Sequence, residues 1–193
     1  MRVEPRGRRA YPWYLRLLYR AQERRFGAPL AAATIWGRIP RLLATFTALY
    51  KTVDRTGSPI EPALRSLVMV RISQINDCPF CIDLNMSILA QRGVSDEKIL
   101  AISDWRTSDA FDAREQVALA YAEAVTVTDH RVDAPLAAQL KSHFDDDALV
   151  ELTALIAFQN MSSKFNNALD IPPQGICRLS AEPGVRQSPV EKV

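Results

Sequence analysis

The length, composition and charge of this chain exclude several classes of protein. With 193 residues, 48% of them hydrophobic, and a formal net charge of +2, it can form a conventional apolar core and lacks the composition of a disordered chain. No run approaches the roughly 18 apolar residues of a membrane helix, and the N-terminus lacks the apolar stretch of a secretory signal. We therefore expect a cytoplasmic protein built as one domain, with no membrane span.

The N-terminal segment is strongly basic and has a helical pattern. Residues 1–26 hold eight arginines against two glutamates, a net charge of +6, and because the whole chain carries +2, the remainder carries −4. Such an arm can contact nucleic acid or anionic lipid, or pack on an acidic face of its own oligomer; we favour the second and expect no nucleic-acid partner. Helices are predicted over 11–26 and about 31–53, with a break at Pro40.

The remaining segments place their apolar residues three or four positions apart, which predicts an all-α protein. We expect a basic helical arm over 1–53, a linker rich in turn residues over 54–62, a helical core over 63–175 and a C-terminal tail over 176–193. The predicted core helices run over about 60–75, from 77 or 78 to Gly93, from caps at Ser95, Asp112 and Asp133, and over about 146–168.

Two of the three cysteines form the motif Cys78-Pro79-Phe80-Cys81. Two cysteines in this spacing in a cytosolic protein indicate redox chemistry or metal binding, because structural disulfides are rare in that compartment. If Cys78 lies in the first turn of a helix, Cys81 lies one turn further on and the sulfurs can form a disulfide. Free backbone N–H groups at that helix start also favour the thiolate. Asn85 falls on the same helical stripe and is predicted to face the thiols.

Metal binding and an inert core pair are the alternatives for these two cysteines. A closed zinc site needs four ligands, and His130, His143 and Cys177 are the other nitrogen or sulfur donors, none with a close-spaced partner. Haem attachment needs a histidine where Ile82 stands. Two buried cysteines can also share a core face without any activity. We expect redox chemistry with no metal and no bound cofactor.

A longer segment carries a resemblance to a known family. Residues 64–85 read LRSLVMVRISQINDCPFCIDLN, and 91–95, 113–122 and 158–167 continue the pattern. Over about residues 40–170 the chain resembles the carboxymuconolactone decarboxylase family, in its AhpD-like alkylhydroperoxidase branch. That resemblance implies an AhpD-like helical fold, a homo-oligomer, and a thiol-dependent peroxidase that uses no metal, haem or nucleotide. It also implies a hydroperoxide or other small-molecule substrate and a thiol or disulfide reductant.

The resemblance assigns roles to the cysteines and also shows what this chain lacks. In the family the second cysteine, here Cys81, attacks peroxide, and the first, here Cys78, resolves the sulfenic acid into a disulfide. The family's relay glutamate and histidine are replaced here by Ser66 and Asn85. Thiol activation would then depend on backbone dipoles and on Ser66, Gln74 and Asn85 as supporting polar groups. The sequence thus predicts a slow peroxidase, or an oxidoreductase that retains disulfide exchange.

Two other functions stay open at the level of sequence. One is a lyase or decarboxylase like the family's founding branch, which acts without the cysteine pair. The other is a non-catalytic helical oligomer in which the pair is structural or sensory. Cys177, in a predicted loop, is interpreted as a bystander or an alternative resolving thiol.

Overall fold

Residues 1–179 are described by a computed structural model, and this part of the chain is helical, with no β-strand. The predicted all-α class is therefore confirmed for this part of the chain. None of the described helices combines the length and apolarity that a membrane crossing needs. The predicted C-terminal tail lies outside the described residues from 180 onward. Within residues 1–179, two short 3-10 helices accompany nine α-helices: α1 (Trp13–Phe26), α2 (Ala31–Trp36), α3 (Pro40–Val53), α4 (Pro62–Ile75), α5 (Pro79–Gln91), α6 (Asp96–Leu100), α7 (Ala113–Thr126), α8 (Ala134–His143) and α9 (Asp146–Ala168).

Side-chain caps determine where the later helices begin. The predicted caps at Ser95, Asp112 and Asp133 are confirmed, and each accepts a hydrogen bond from a backbone N–H three residues on. Asp112 and Glu115 form a reciprocal capping box, with distances of 2.9 and 3.0 Å between their side-chain oxygens and the opposite backbone nitrogens. Asp145 caps α9 in the same way. These caps pair backbone groups that a helix end leaves without partners.

The helix α4 is the centre of the core. It packs against α5, α7 and α9, and Leu67, Val68, Val70 and Ile72 are fully buried. These residues point in several directions around the helix axis, which requires neighbours on more than one face. The apolar run in this segment therefore defines the helix around which the others assemble.

The helices α4 and α5 form an antiparallel pair joined by a tight turn. The turn places Asp77 at a positive φ of 46°, and the Asn76 side chain donates to Ser163 Oγ in α9 at 2.8 Å. The predicted end of α5 is confirmed, because Gly93 follows it with a φ of 82°, a conformation glycine adopts without steric cost. The turn is thereby anchored to a third helix.

The N-terminal arm packs on its own chain. Tyr11 Oη donates to the Thr34 carbonyl at 2.8 Å, and Tyr19 Oη donates to the Ala33 carbonyl at 3.1 Å. These contacts tie α1 to α2, and the apolar cluster that they border also contains both cysteines of the motif. The arm therefore covers the region around α5.

Candidate active site

The two cysteines lie at the start of α5. Cys78 is the N-terminal capping residue, its Sγ accepts the backbone N–H of Cys81 at 3.3 Å, and Pro79 occupies the first helical position. The predicted helix start is confirmed, and proline fits there because the first N–H of a helix has no internal partner. The two Sγ atoms are bonded, with the Cα atoms 5.3 Å apart. The pair can therefore form a disulfide within one helical turn.

A buried asparagine from another helix contacts the second sulfur. Asn166 in α9 donates through Nδ2 to Cys81 Sγ at 3.3 Å, and its Oδ1 accepts the indole N–H of Trp36 at 2.9 Å. The Trp36 bond fixes which end of the amide faces the sulfur, so that a donor is presented to it. Asn166 was not among the predicted site residues. No sequence signal singles it out, because residues 159–167 of α9 read QNMSSKFNN and are mostly polar.

Asn85 follows Cys81 by one helical turn, and its side chain belongs to a buried polar cluster. Its Nδ2 donates to Ser73 Oγ at 3.1 Å, and Gln159 Nε2 donates to the same oxygen at 2.9 Å. Ser73 in turn donates to the Met69 carbonyl at 2.7 Å. All three polar side chains of the cluster are buried. None of them titrates near neutral pH, so the cluster orients groups but cannot accept a proton from a thiol.

Two predicted supporting residues make their hydrogen bonds elsewhere. Ser66 Oγ accepts from Arg92 Nη1 at 2.8 Å, and Gln74 Oε1 accepts from Arg71 Nη1 at 3.2 Å. Ser66 precedes Ser73 by two helical turns, and in an antiparallel pair it therefore faces the far end of α5. Gln74 follows Ser73 directly and so points about 100° away around the helix. The residue of α4 that contacts Asn85 is Ser73.

Asp83 holds the segment that contains the third cysteine. Its two carboxylate oxygens accept the backbone N–H groups of Gln174 and Cys177, each at 2.7 Å. Cys177 is a half-buried free thiol, and burial together with the nearby Asp83 charge raises its pKa. A raised pKa lowers the thiolate population, so Cys177 is less reactive than an ordinary cysteine.

Within residues 1–179 no group of three histidine, cysteine, aspartate or glutamate side chains is arranged to hold a metal ion. His130 is exposed, and His143 lies in the last turn of α8. The chemistry that this site offers with its own residues is the chemistry of the sulfur pair.

An apolar cavity of about 650 Å³ adjoins Cys81. Residues from α1, α2, α3, α4, α5 and α9 line it. Cys81 and Asn85 are among them, whereas Cys78 is not and is fully buried. A molecule in the cavity therefore meets Cys81 and not Cys78. The aromatic and aliphatic side chains of the wall are Leu18, Phe26, Leu30, Trp36, Leu43, Phe46, Tyr50, Met69, Phe80, Leu84, Ile88 and Phe158.

An ionic cluster lies where α5 ends, beside the same cavity. Asp54 accepts from Arg65 Nε at 2.8 Å, from Arg92 Nη2 at 2.6 Å and from Tyr50 Oη at 3.0 Å. Burial opposes ionisation of Asp54, but the hydrogen bonds from Arg92 and Arg65 outweigh it and lower its pKa. Burial and the Asp54 charge raise the pKa of Tyr50 to about 12. Tyr50 and Arg92 both line the cavity.

The fold and the site together define a class of all-helical proteins with a Cys-x-x-Cys pair at a helix start beside an apolar cavity. The model of the carboxymuconolactone decarboxylase family matches residues 40–124. Protein YnjA of Escherichia coli (strain K12) is 46% identical over 156 residues, which is 81% of this chain and 86% of that protein. The chain belongs to the carboxymuconolactone decarboxylase family, in its AhpD-like branch, and the resemblance read from the sequence is confirmed.

Solved structures share this fold along most of the chain. An uncharacterized peroxidase-related protein from Ralstonia eutropha JMP134, described as an alkylhydroperoxidase AhpD core, superposes with a TM-score of 0.81 at 19% identity, covering 90% of this chain and 92% of that one. A cysteine-to-alanine variant of the debrominase Bmp8, in complex with 2,3,4-tribromopyrrole, superposes with a TM-score of 0.76 at 25% identity, covering 88% and 90%. The first likeness concerns the fold alone, and it confirms the predicted AhpD-like fold.

Proposed function

We propose that this protein is a thiol-dependent oxidoreductase that reduces a hydroperoxide with the Cys78 and Cys81 pair. The observation that carries the proposal is the bonded pair at the start of α5, with Cys81 lining a cavity. Cys81 is the proposed nucleophile, because it lines the cavity and receives the Asn166 hydrogen bond. Cys78 is the proposed resolving cysteine, and the Cys81 backbone N–H donates to its sulfur.

The proposed cycle balances without a cofactor. The Cys81 thiolate attacks the terminal peroxide oxygen, an S–O bond forms as the O–O bond breaks, and the alcohol leaves after taking a proton. The Cys78 thiol then displaces water from the sulfenic acid and forms the disulfide. An external dithiol supplies two electrons and two protons to restore the pair. No group in the buried polar cluster titrates near neutral pH, so we expect slow turnover with a modest acid-base contribution.

Thiol counting after peroxide treatment tests this function. The reduced protein treated with cumene hydroperoxide is expected to lose two thiols, and a dithiol is expected to restore both. Cys81→Ser should abolish cumyl alcohol formation, and Cys78→Ser should leave a sulfenic acid on Cys81 that dimedone traps. Cys177→Ser is the matched control and should behave as the unmodified protein. A pair that stays reduced in millimolar hydroperoxide would exclude the peroxidase.

Reductive dehalogenation is the second candidate. The Bmp8 structure at 25% identity holds a brominated pyrrole, and the cavity here has aromatic walls that suit such a ring. In the net reaction the aryl bromide gains hydrogen, the two thiols lose two electrons to form the disulfide, and hydrogen bromide is released. Bromide release from a brominated pyrrole by the reduced protein would support this candidate. A preparation that turns over hydroperoxide but releases no bromide would exclude it.

The lyase alternative from the sequence can be separated from both thiol reactions. Lyase chemistry needs no sulfur pair, so a Cys78→Ser/Cys81→Ser double variant would keep that activity and lose the other two. Turnover of a lactone carboxylate by the double variant would reverse our order of preference. A non-catalytic oligomer would show no turnover in any of these assays.

The homo-oligomer, the cytoplasmic location and the thiol reductant remain part of the proposal. Large apolar side chains exposed on the described surface are consistent with an interface, among them Trp13 at 66% and Val150 at 68%. Size-exclusion chromatography with light scattering measures the number of subunits, and a monomer at micromolar concentration would contradict the proposed oligomer.

A further inference from the structure

The cavity beside Cys81 is elongated, and it follows one stripe of α5. Cys81, Asn85, Ile88 and Arg92 all line it, and their spacing of four, three and four residues keeps them on the same face. A helix rises about 1.5 Å per residue, so Arg92 lies about 16 Å along the axis from Cys81. The cavity therefore has Cys81 at one end and Arg92 at the other.

The wall between these ends is a continuous row of aromatic rings. The Trp36 ring centroid lies 4.4 Å from that of Phe46, which lies 4.9 Å from that of Phe158. The Tyr50 ring follows at 5.8 Å from Phe158. Trp36 contacts the asparagine that holds Cys81, and Tyr50 belongs to the ionic cluster at the far end. An occupant that reaches both ends must present an apolar body to this row.

The far end of the cavity is positively charged. Arg25, Lys51 and Arg92 line the cavity, and none of its described lining residues is an aspartate or glutamate. Arg25 Nη2 donates to Gln91 Oε1 at 3.0 Å, so the arm brings its charge to the end of α5. Within residues 1–179, Lys51 has no hydrogen-bond or ion-pair partner. Its three donors are free to bind an anion.

Asp54 does not neutralise this end. Its one carboxylate is shared between Arg92 and Arg65, so the two guanidinium groups keep a net positive charge beside it. Arg25 and Lys51 add two more cations at the mouth. An uncharged apolar molecule would give these cations no partner of opposite charge, whereas a carboxylate would form ion pairs with them.

We propose that the cavity binds a fatty acid, with its carboxylate at Arg25, Lys51 and Arg92 and its alkyl chain along the aromatic row towards Cys81. This proposal rests on the proposed peroxidase function. The substrate class is then a fatty acid hydroperoxide, whose O–O bond lies at the Cys81 end of the cavity. The product would be the hydroxy acid and water, with the sulfur pair oxidised.

Binding of unreactive probes to the disulfide form tests the inference separately from turnover. Decanoate and decan-1-ol share a chain length and differ in charge, and calorimetry measures both below their aggregation concentrations. We expect decanoate to bind at least about ten-fold more tightly, because a hydrogen bond to a charged group has this effect or more. Equal affinity for the acid and the alcohol would overturn the proposal.

Reversing the charge of Lys51, at the positively charged end of the cavity, gives a second test. Lys51→Glu is expected to weaken decanoate binding by at least about ten-fold and to leave decan-1-ol binding unchanged. Lys141→Glu, on the exposed surface of α8, is the matched control and should change neither. Unchanged decanoate binding by Lys51→Glu would contradict the inference. Decanoate binding by a protein that reduces no hydroperoxide would uphold this inference while the proposed function failed.

Discussion

The hydrogen bond from Asn166 to Cys81 Sγ, 3.3 Å long, is predicted to stabilise the thiolate of the reduced protein. A hydrogen bond to a charged group contributes about 1.5–3 kcal/mol, and each 1.4 kcal/mol is about a factor of ten. Replacing Asn166 by alanine should therefore lower the thiolate population of Cys81 at neutral pH by about ten-fold or more. The midpoint of its alkylation rate against pH should move to higher pH.

A second substitution at the same position separates this effect from a loss of structure. In the native protein, the Trp36 indole N–H donates to Asn166 Oδ1 at 2.9 Å. Asn166→Asp keeps an oxygen that can accept this bond, but it removes the N–H donor to Cys81 and places a negative charge beside the sulfur. Like charges disfavour ionisation, so the rate of alkylation should fall further than in the alanine variant. The expected order of reactivity is the native protein, then alanine, then aspartate.

The assay is the rate of iodoacetamide alkylation against pH, read for the Cys81 peptide by mass spectrometry. Asn167→Ala is the matched control, because this neighbouring amide is exposed and donates to the Asn76 carbonyl at 2.9 Å. It should leave the Cys81 profile in place. Identical profiles for the native protein and both Asn166 variants would refute the reasoning, since the sulfur would then draw its activation from another group.

Three further predictions concern stability, measured by thermal or denaturant unfolding. Gly37→Ala places a Cβ against Tyr19 Oη and 2.9 Å from a backbone carbonyl, and should cost about 1–3 kcal/mol, whereas Gly7→Ala meets nothing within 4 Å and should be near neutral. Ser73→Ala removes the acceptor shared by two buried amides and should cost at least about 1–3 kcal/mol; a neutral result would contradict the cluster. Asp54→Asn leaves two arginines without their carboxylate and should cost about 3 kcal/mol at neutral pH. Because the pKa of Asp54 is lowered on folding from 3.8, this stabilisation is present above that value and is lost as pH falls through the folded pKa. The difference between the native protein and Asp54→Asn should therefore shrink below about pH 4, and a constant difference would refute the ionic role.

The arm of the protein illustrates a limit of reading charge from sequence. Its net charge of +6 is compatible with nucleic acid, with anionic lipid or with an acidic face of its own oligomer, the reading we favour. In the structure, α1 packs on its own chain and lines the cavity beside Cys81. Arg25 faces the end of α5 because the fold brings residues 66 positions apart together. Composition reports how much charge a segment carries, but the surface on which that charge lies depends on tertiary packing.

The predicted supporting residues show a similar limit: the sequence does not tell which side chains of two neighbouring helices meet. Asn85 follows Cys81 by one helical turn and lines the same cavity, and that relation along the helix is local. Ser66 and Gln74 were inferred from family positions and chemistry, and the structure places their hydrogen bonds with Arg92 and Arg71. Which residue of α4 meets Asn85 depends on the register between two helices, and the register depends on the turn that joins them.

The sequence alone determined the helical class, the caps at Ser95, Asp112 and Asp133, the family and the placement of the two cysteines one turn apart. The class, the caps and the cysteine spacing follow from residues within a few positions of one another, where periodicity and capping act. The family follows from the resemblance over about residues 40–170. Only the tertiary structure decided that Cys81 faces the cavity, that Asn166 contacts its sulfur and that three cations gather at the far end. Asn166 and Cys81 are 85 positions apart, and Arg25 and its partner Gln91 are 66 positions apart. The packing of whole helices, rather than any local pattern, sets these relations.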